Sequence, residues 1–151
     1  LTLSGVSVLY SGDEIGQFND YTYHDDPVKR EDSRYLHRGA FSWQDAAKRN
    51  DGESWQGSVY GRGTALVRLR RENSIFDAQA DVWTFDTGSD HVLGVGRYYE
   101  GKKLLAVFNF GDHVQRVYID GEYNDLLSEG KKVFGSMNLP SGGFAWLIRE
   151  E

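Results

Sequence analysis

A chain of 151 residues holds one ordinary domain, or one domain and a piece of another. Its 39% hydrophobic and 14% aromatic content is enough for a packed core, and 26% charged residues is not a disordered composition. The net charge of −6 has both signs interspersed, which argues against a duplex-binding protein with its basic face, and the absence of cysteine excludes disulfides and thiolate metal sites.

No run approaches the roughly 18 apolar residues of a membrane-spanning helix, so neither nucleic acid nor membrane is expected as a partner. The chain shows no signal peptide and does not begin with Met, and it is expected to be a segment of a longer protein. Cytoplasmic and secreted settings both remain open.

The first element is "GVSVLY" at residues 5–10. Apart from Ser7 it has no polar alternation, the pattern of a strand buried on both faces in a parallel sheet. Such a strand needs neighbours. Residues 11–58 follow, rich in Asp, Asn, Gly, His, Arg and aromatics and with little periodicity. A loop this long is usually functional or disordered. Phe18, Tyr21, Tyr23, Tyr35, Phe41, Trp43 and Trp55 argue against plain disorder; they either present flat rings to sugar C–H faces or pack on a scaffold.

"SVYGRGTALVRLRREN" reads as a helix over 58–73 with Ser58 as N-cap and Ala65, Leu66 and Leu69 on one face. Gly61 and Gly63 weaken it by about 1 kcal/mol each relative to Ala and are expected to allow close packing. Residues 80–149 are β-rich: "DVWTFDT", "HVLGVGRYY", "KLLAVFNFG", "QRVYID", "YNDLLS" and "FAWLIRE". Turn signals at Glu100-Gly101, Asp120-Gly121, Glu129-Gly130 and Gly142-Gly143 separate them, as in a small antiparallel sandwich.

Asp13 and Glu14 are adjacent carboxylates. A glycosidase needs two carboxyls facing each other at about 5–9 Å, and neighbours on an extended chain point apart. They are not a catalytic pair; they either lie at a pocket lip or serve loop hydrogen bonding. Asp25, Asp26, Glu31 and Asp32 do not fit a calcium loop, and His24 and His37 lack a third ligand at zinc-like spacing. No metal and no cofactor is expected. No Ser lies in G-x-S-x-G, so there is no nucleophile elbow. "EDSR" is the better candidate: Asp32 and Arg34 are flanked by Tyr35 and His37. Arg34 either offers its planar fork to a carboxylate or vicinal hydroxyls, or forms a surface pair with Asp32.

"GVSVLYSGDEIGQFND" followed by "DDPVKREDSRYLHRGAFSW" resembles the α-amylase superfamily, glycoside hydrolase family 13. Within it, the second motif is similar to the loop after the eighth barrel strand in amylosucrases and related sucrose hydrolases. The resemblance continues through "VYGRGTALVRLRRENSIFD" and "LLAVFNFG", nearly the whole chain. It implies a mainly β fold: residues 1–74 would be the last strand, long loop and last helix of a (β/α)8 barrel, and residues 75–151 a C-terminal antiparallel β-sandwich.

The catalytic Asp, Glu and Asp of that family would lie upstream of Leu1, so the chain alone would carry no catalytic residue and be inactive. Arg34 matches the Arg that closes the bottom of the glucosyl pocket by pairing with an Asp from an early barrel loop. "SRY" stands here where "SRW" is common. The implied partners are sucrose and α-glucan in the parent enzyme and the missing barrel; separately, the apolar strand "VSVLY", an edge without neighbours, is expected to allow self-association of the segment.

Two other readings compete. One is a different family 13 enzyme, an α-glucosidase or α-amylase. The other is a stand-alone carbohydrate-binding β-sandwich using Trp83, Tyr98, Tyr99 or Trp146.

Overall fold

A computed structural model describes residues 1–150. The chain divides into two compact units, Leu1–Val6 with Leu69–Glu151, and Ser7–Arg68.

The first unit is built on six antiparallel strands: β1 (Asp81–Phe85), β2 (Val92–Tyr99), β3 (Lys102–Asn109), β4 (Gln115–Asp125), β5 (Lys131–Leu139) and β6 (Phe144–Glu150), in the order β1-β2-β3-β6-β4-β5. Only two register pairs, Asn124 with Ile148 and Asp125 with Leu147, tie β4 to β6. Val117, Ile119, Tyr123 and Leu139 of the β4–β5 hairpin nevertheless share one core with Leu105, Val107, Ala145 and Leu147. The sheet therefore folds over on itself, and the hairpin covers one face of β2, β3 and β6 in the manner of a small sandwich.

The other face carries Val95, Ala106 and Trp146 in one cross-strand row and Arg97, Leu104 and Ile148 in the next. Phe76 packs on Trp146 with ring centroids 4.7 Å apart, and the Trp146 Nε1–H donates to Thr2 Oγ1 at 3.0 Å. Alternate residues of β3 and β6 are thus buried on both faces, which explains their near-continuous apolar sequences.

The turn signals divide into two kinds. Glu100 and Gly101 both have positive φ, 47° and 77°, the conformation a two-residue hairpin needs. Asp120-Gly121 is not a turn: it lies inside β4, where the register against β5 shifts between Ile119 and Glu122 and Gly121 has φ 91°. It is a bulge. β4 stops at Asp125, so "YNDLLS" is half strand and half turn; the buried Asp125 carboxylate accepts from Leu127 N at 3.0 Å and Ser128 Oγ at 2.7 Å. β5, absent from the sequence expectation, is a mostly exposed edge strand opening on two lysines.

The strand expected at residues 5–10, where the chain passes from the first unit into the second, does not form. Val6, Val8, Leu9 and Tyr10 are exposed, because among the described residues no strand lies beside them to take their backbone hydrogen bonds or cover their side chains. The long loop instead folds as single turns: 3-10 turns at Asp13–Ile15, Tyr21–Asp25, Ser33–His37 and Ala47–Asn50, and the short α1 (Trp43–Ala46).

The helix α2 runs Trp55–Glu72, three residues earlier than expected at its start. Ser54, not Ser58, caps it: Ser54 Oγ accepts from Gly57 N at 3.0 Å. Nothing lies within 4 Å of a Cβ placed at Gly61 or Gly63, so neither serves close packing. Gly57 does, since a Cβ there would fall 1.9 Å from Asp51 O.

Candidate functional site

The loop from Ser11 to Ser54 holds most of the sequence-predicted site residues. Several of its turns share one local device, an acidic or hydroxyl side chain that caps the next amides. Asp20 accepts from Thr22 N at 2.9 Å and Thr22 Oγ1 at 2.6 Å, Asp26 from Val28 N at 2.9 Å, and Ser42 Oγ from Asp45 N at 3.2 Å. These bonds hold the Asp20 and Asp26 carboxyls below the usual range.

Cross-loop bonds then draw the turns together. Asp20 N donates to Leu36 O at 2.8 Å, Gln17 Nε2 to Ala40 O at 3.0 Å, and Ser42 N to Gln17 Oε1 at 3.1 Å. Trp55 Nε1 donates to Gly16 O at 3.1 Å, and its ring lies 11° from parallel to Phe18. Ile15, Tyr23 and Ala46 are the buried hydrophobic residues of this small assembly.

Asp13 and Glu14 serve their own turn. Asp13 Oδ2 accepts from Tyr10 N at 3.3 Å, and Glu14 Oε2 from Gly12 N at 2.8 Å. Asp13 also lines a narrow cleft of about 60 Å³ with Tyr10, Gln17, Asn19 and His37, where His37 Nδ1 meets Asn19 Oδ1 at 3.0 Å.

Asp32 and Arg34 form a bidentate pair. Arg34 Nε donates to Asp32 Oδ1 at 2.8 Å and Nη2 to Oδ2 at 2.7 Å, and Asp32 Oδ1 also accepts from Arg34 N at 3.0 Å. The guanidinium hydrogen bonds, then the backbone amide of residue 34, hold Asp32 down to about 2, while the hydrogen bonds to Asp32 and then its charge raise Arg34. The Arg34 side chain is 70% exposed. The pair satisfies the capping need of its own turn and leaves the guanidinium open to solvent.

A second cleft, of about 530 Å³, lies between the turns and is lined by Asp20, Tyr23, Asp26, Lys29, Tyr35 and Arg38 among others. Lys29 pairs with Asp26 at 3.1 Å and sits 5.7 Å from the Tyr35 ring centroid. Arg34 does not line it. Sequence reading missed Lys29 and Arg38; Lys29 is marked by its place between the Asp26 and Asp32 caps, and Arg38 by its place at the end of the turn that Asp32 opens. Among the described residues, no group of three or more His, Asp or Glu is arranged to hold a metal ion.

In the β-unit, Trp146 is 1% exposed, so its ring has no face for a sugar. Trp83 lies across β2: a Cβ at Gly96 would fall 2.2 Å from it. Trp146 is a packing residue of the sheet, whereas Trp83 stays 37% exposed.

No protein-family model matches the chain. Solved structures do. AmyP in complex with maltose aligns over 97% of this chain and 32% of its own, with a TM-score of 0.72 and 16% identity. An alpha-amylase from Anoxybacillus aligns over 62% of this chain and 22% of its own, with a TM-score of 0.53 and 19% identity. The alpha-glucosyl transfer enzyme XgtA aligns over 69% and 19%, with a TM-score of 0.53 and 17% identity. The likeness is one of fold: a mainly β chain spanning between 19% and 32% of these three solved structures.

Proposed function

We propose that the chain is the C-terminal portion of a retaining glycoside hydrolase family 13 enzyme of the amylosucrase type. In this reading residues 1–74 close a (β/α)8 barrel and residues 75–151 form its C-terminal β-domain. The observation that carries it is the fold shared over 97% of the chain with AmyP, bound there to maltose. The ordered run of motifs from "GVSVLYSGDEIGQFND" through "EDSRYLHR" to "LLAVFNFG" supports the finer assignment.

The chemistry would be double displacement: a carboxylate attacks the anomeric carbon, fructose leaves with a proton from the acid, and the glucosyl passes to an α-glucan end or to water. The carboxylates that do this belong to the rest of the barrel, so the chain alone turns nothing over. Arg34 would bind substrate from the pocket floor, exchanging its bond to Asp32 for the Asp of an early barrel loop. Its exposure in the present arrangement supports that role, since the guanidinium needs no unfolding to reach a new carboxylate. Asp13, Glu14 and Asp32 would shape the lip.

The parent enzyme, assayed on sucrose, maltose and starch, is expected to release fructose from sucrose. Arg34→Ala in that enzyme is expected to lower kcat/KM for sucrose by about a hundredfold, the cost of one charged pocket contact. No fructose release from sucrose would sink the amylosucrase assignment.

A further inference from the structure

The apolar face that holds Trp146 continues beyond its covered part. In the next cross-strand row, Leu93 pairs with Phe108 and Phe108 with Phe144. Phe76 reaches the Trp146 row, but among the described residues no other element of the β-unit covers this one: Leu93 and Phe144 are exposed, and Phe110, just past the end of β3, is 76% exposed. The three rings run near parallel, Phe108 lying 6.0 Å and 16° from Phe144 and 6.5 Å and 26° from Phe110. Exposed aromatic rows of this kind mark ligand or partner surfaces.

The row opens into a cleft of about 320 Å³, whose wall includes Leu93, Phe110, Asp86, Asp90 and His91. That volume lies within the range of small-ligand clefts, about 300–1,000 Å³. Asp86 spends only Oδ1, on Gly88 N at 2.8 Å. The site thus offers flat apolar rings beside hydroxyl-accepting carboxylates.

From this juxtaposition we propose that the Phe108–Phe110–Phe144 row and its cleft form a surface site for an α-linked glucan chain, separate from the loop that carries Arg34. A glucose unit has an apolar C–H face, which the rings match, and a rim of hydroxyl donors, which Asp86 and Asp90 match. A second copy fits worse: the row would bring Asp86, Asp90 and the neighbouring Asp112 of two chains, each of net charge −6, against one another. The choice of α-glucan as the ligand rests on the enzyme reading above; the location rests on the rings and the cleft.

Maltoheptaose added to the ¹⁵N-labelled full chain is expected to shift the amides of Leu93, Phe108, Phe110 and Phe144 and to leave residues 11–54 unmoved. Phe110→Ala and Asp90→Asn, both at exposed positions, are each expected to weaken binding about tenfold, as for a lost aromatic contact. Phe134→Ala, removing an equally exposed ring on β5, is expected to change nothing. Shifts confined to residues 11–54, no shifts at millimolar sugar, or equal binding in Phe110→Ala would overturn the proposal. So would concentration-dependent dimerisation relieved by Phe110→Ala, or a lysine-rich peptide competing at the same amides more tightly than the sugar. Fructose release by the parent enzyme is a separate measurement, so either result stands without the other.

Discussion

Arg97 carries a charge into the interior of the β-unit with no carboxylate in its hydrogen-bond set. Its Nε donates to Ile75 O at 2.8 Å, Nη1 to Thr2 O at 2.9 Å and Nη2 to Asp77 O at 2.8 Å. The guanidinium also lies 5.7 Å from the Phe76 ring centroid. Burial, then the nearby Arg70 charge, pulls it below its usual range while Asp77 opposes, yet an Arg keeps its proton in such surroundings. One side chain thereby fixes two segments that otherwise have no ladder, the chain at Thr2 and the turn from Ile75 to Asp77. Arg97→Met keeps the stem's volume and orphans the carbonyls, so a loss of about 2–4 kcal/mol is expected. A urea melt followed by tryptophan fluorescence reads it; an unchanged midpoint would refute the role. Nothing in "GVGRYY" announces this, because an Arg on an alternating strand reads as solvent-facing until the covering segment is seen. At the loop, Asp32 makes the complementary case. Its carboxyl is lowered from 3.8 to about 2 by Arg34, so the pair is intact above the ordinary Asp range and is lost as pH falls through about 2. A carboxyl-carbon NMR titration is expected to place the Asp32 midpoint near that value. In Arg34→Ala it moves up toward 3.8, remaining somewhat lower because the bond from the backbone amide of residue 34 persists. A wild-type midpoint at the ordinary value would show that the pair does not hold in solution.

Elements differ in how far the sequence determines them, and the difference tracks burial. β2, β3 and β6 were legible because their residues are apolar on both faces, and the Glu100-Gly101 turn because two successive positive φ values demand that chemistry. β5 escaped because an exposed edge strand opening "KKVFG" meets the composition of a loop; its strand state comes from nine pairings with β4, from Gln115–Leu139 to Asp125–Lys131. The same ladder converts Asp120-Gly121 from an expected turn into a bulge. In the long loop, aromatic content was readable as order, but the D-x-T and D-x-R caps that create the order were not weighed, and so the pairing of Arg34 with Asp32 stood only as one of two readings. The start of α2 was misplaced for a related reason. Ser58 and Ser54 are equal caps by composition, and what selects Ser54 is the turn at Asp51, whose carbonyl lies where a side chain at Gly57 would go. Gly57→Ala is therefore expected to destabilise the loop–helix junction by about 2 kcal/mol despite Ala's higher helix propensity. Gly61→Ala, facing open space, is expected to stabilise by up to about 1 kcal/mol. Thermal melts of the two variants moving in the same direction would contradict this account.

For the molecule as a whole, the unsatisfied part is the segment that leads from the β-unit into the loop. Residues 1–10 carry no ionised side chain, and Val6 and Val8 are 92% and 83% exposed with no strand beside them. Their backbone amides and carbonyls lack ladder partners, the condition under which an extended apolar segment recruits another chain. The −6 charge of the protein opposes close approach in general, but it is distributed away from this stretch, so pairing of two such segments brings no like charges into contact. Sedimentation velocity on the isolated chain is expected to show concentration-dependent association. Val8→Lys, which places a charge on the pairing edge, is expected to return it to monomer, as gatekeeper lysines do on natural edges. Phe110→Ala should leave the association as it was, because the phenylalanine row is flanked by Asp86, Asp90 and Asp112 and is not the adhesive surface. Salt separates the two surfaces further: screening raises any contact between the acidic clefts and hardly affects pairing of the neutral segment. A chain that stays monomeric at all concentrations would mean that residues 5–10 find cover within their own molecule, and the proposed dependence on a barrel partner would lose its physical basis.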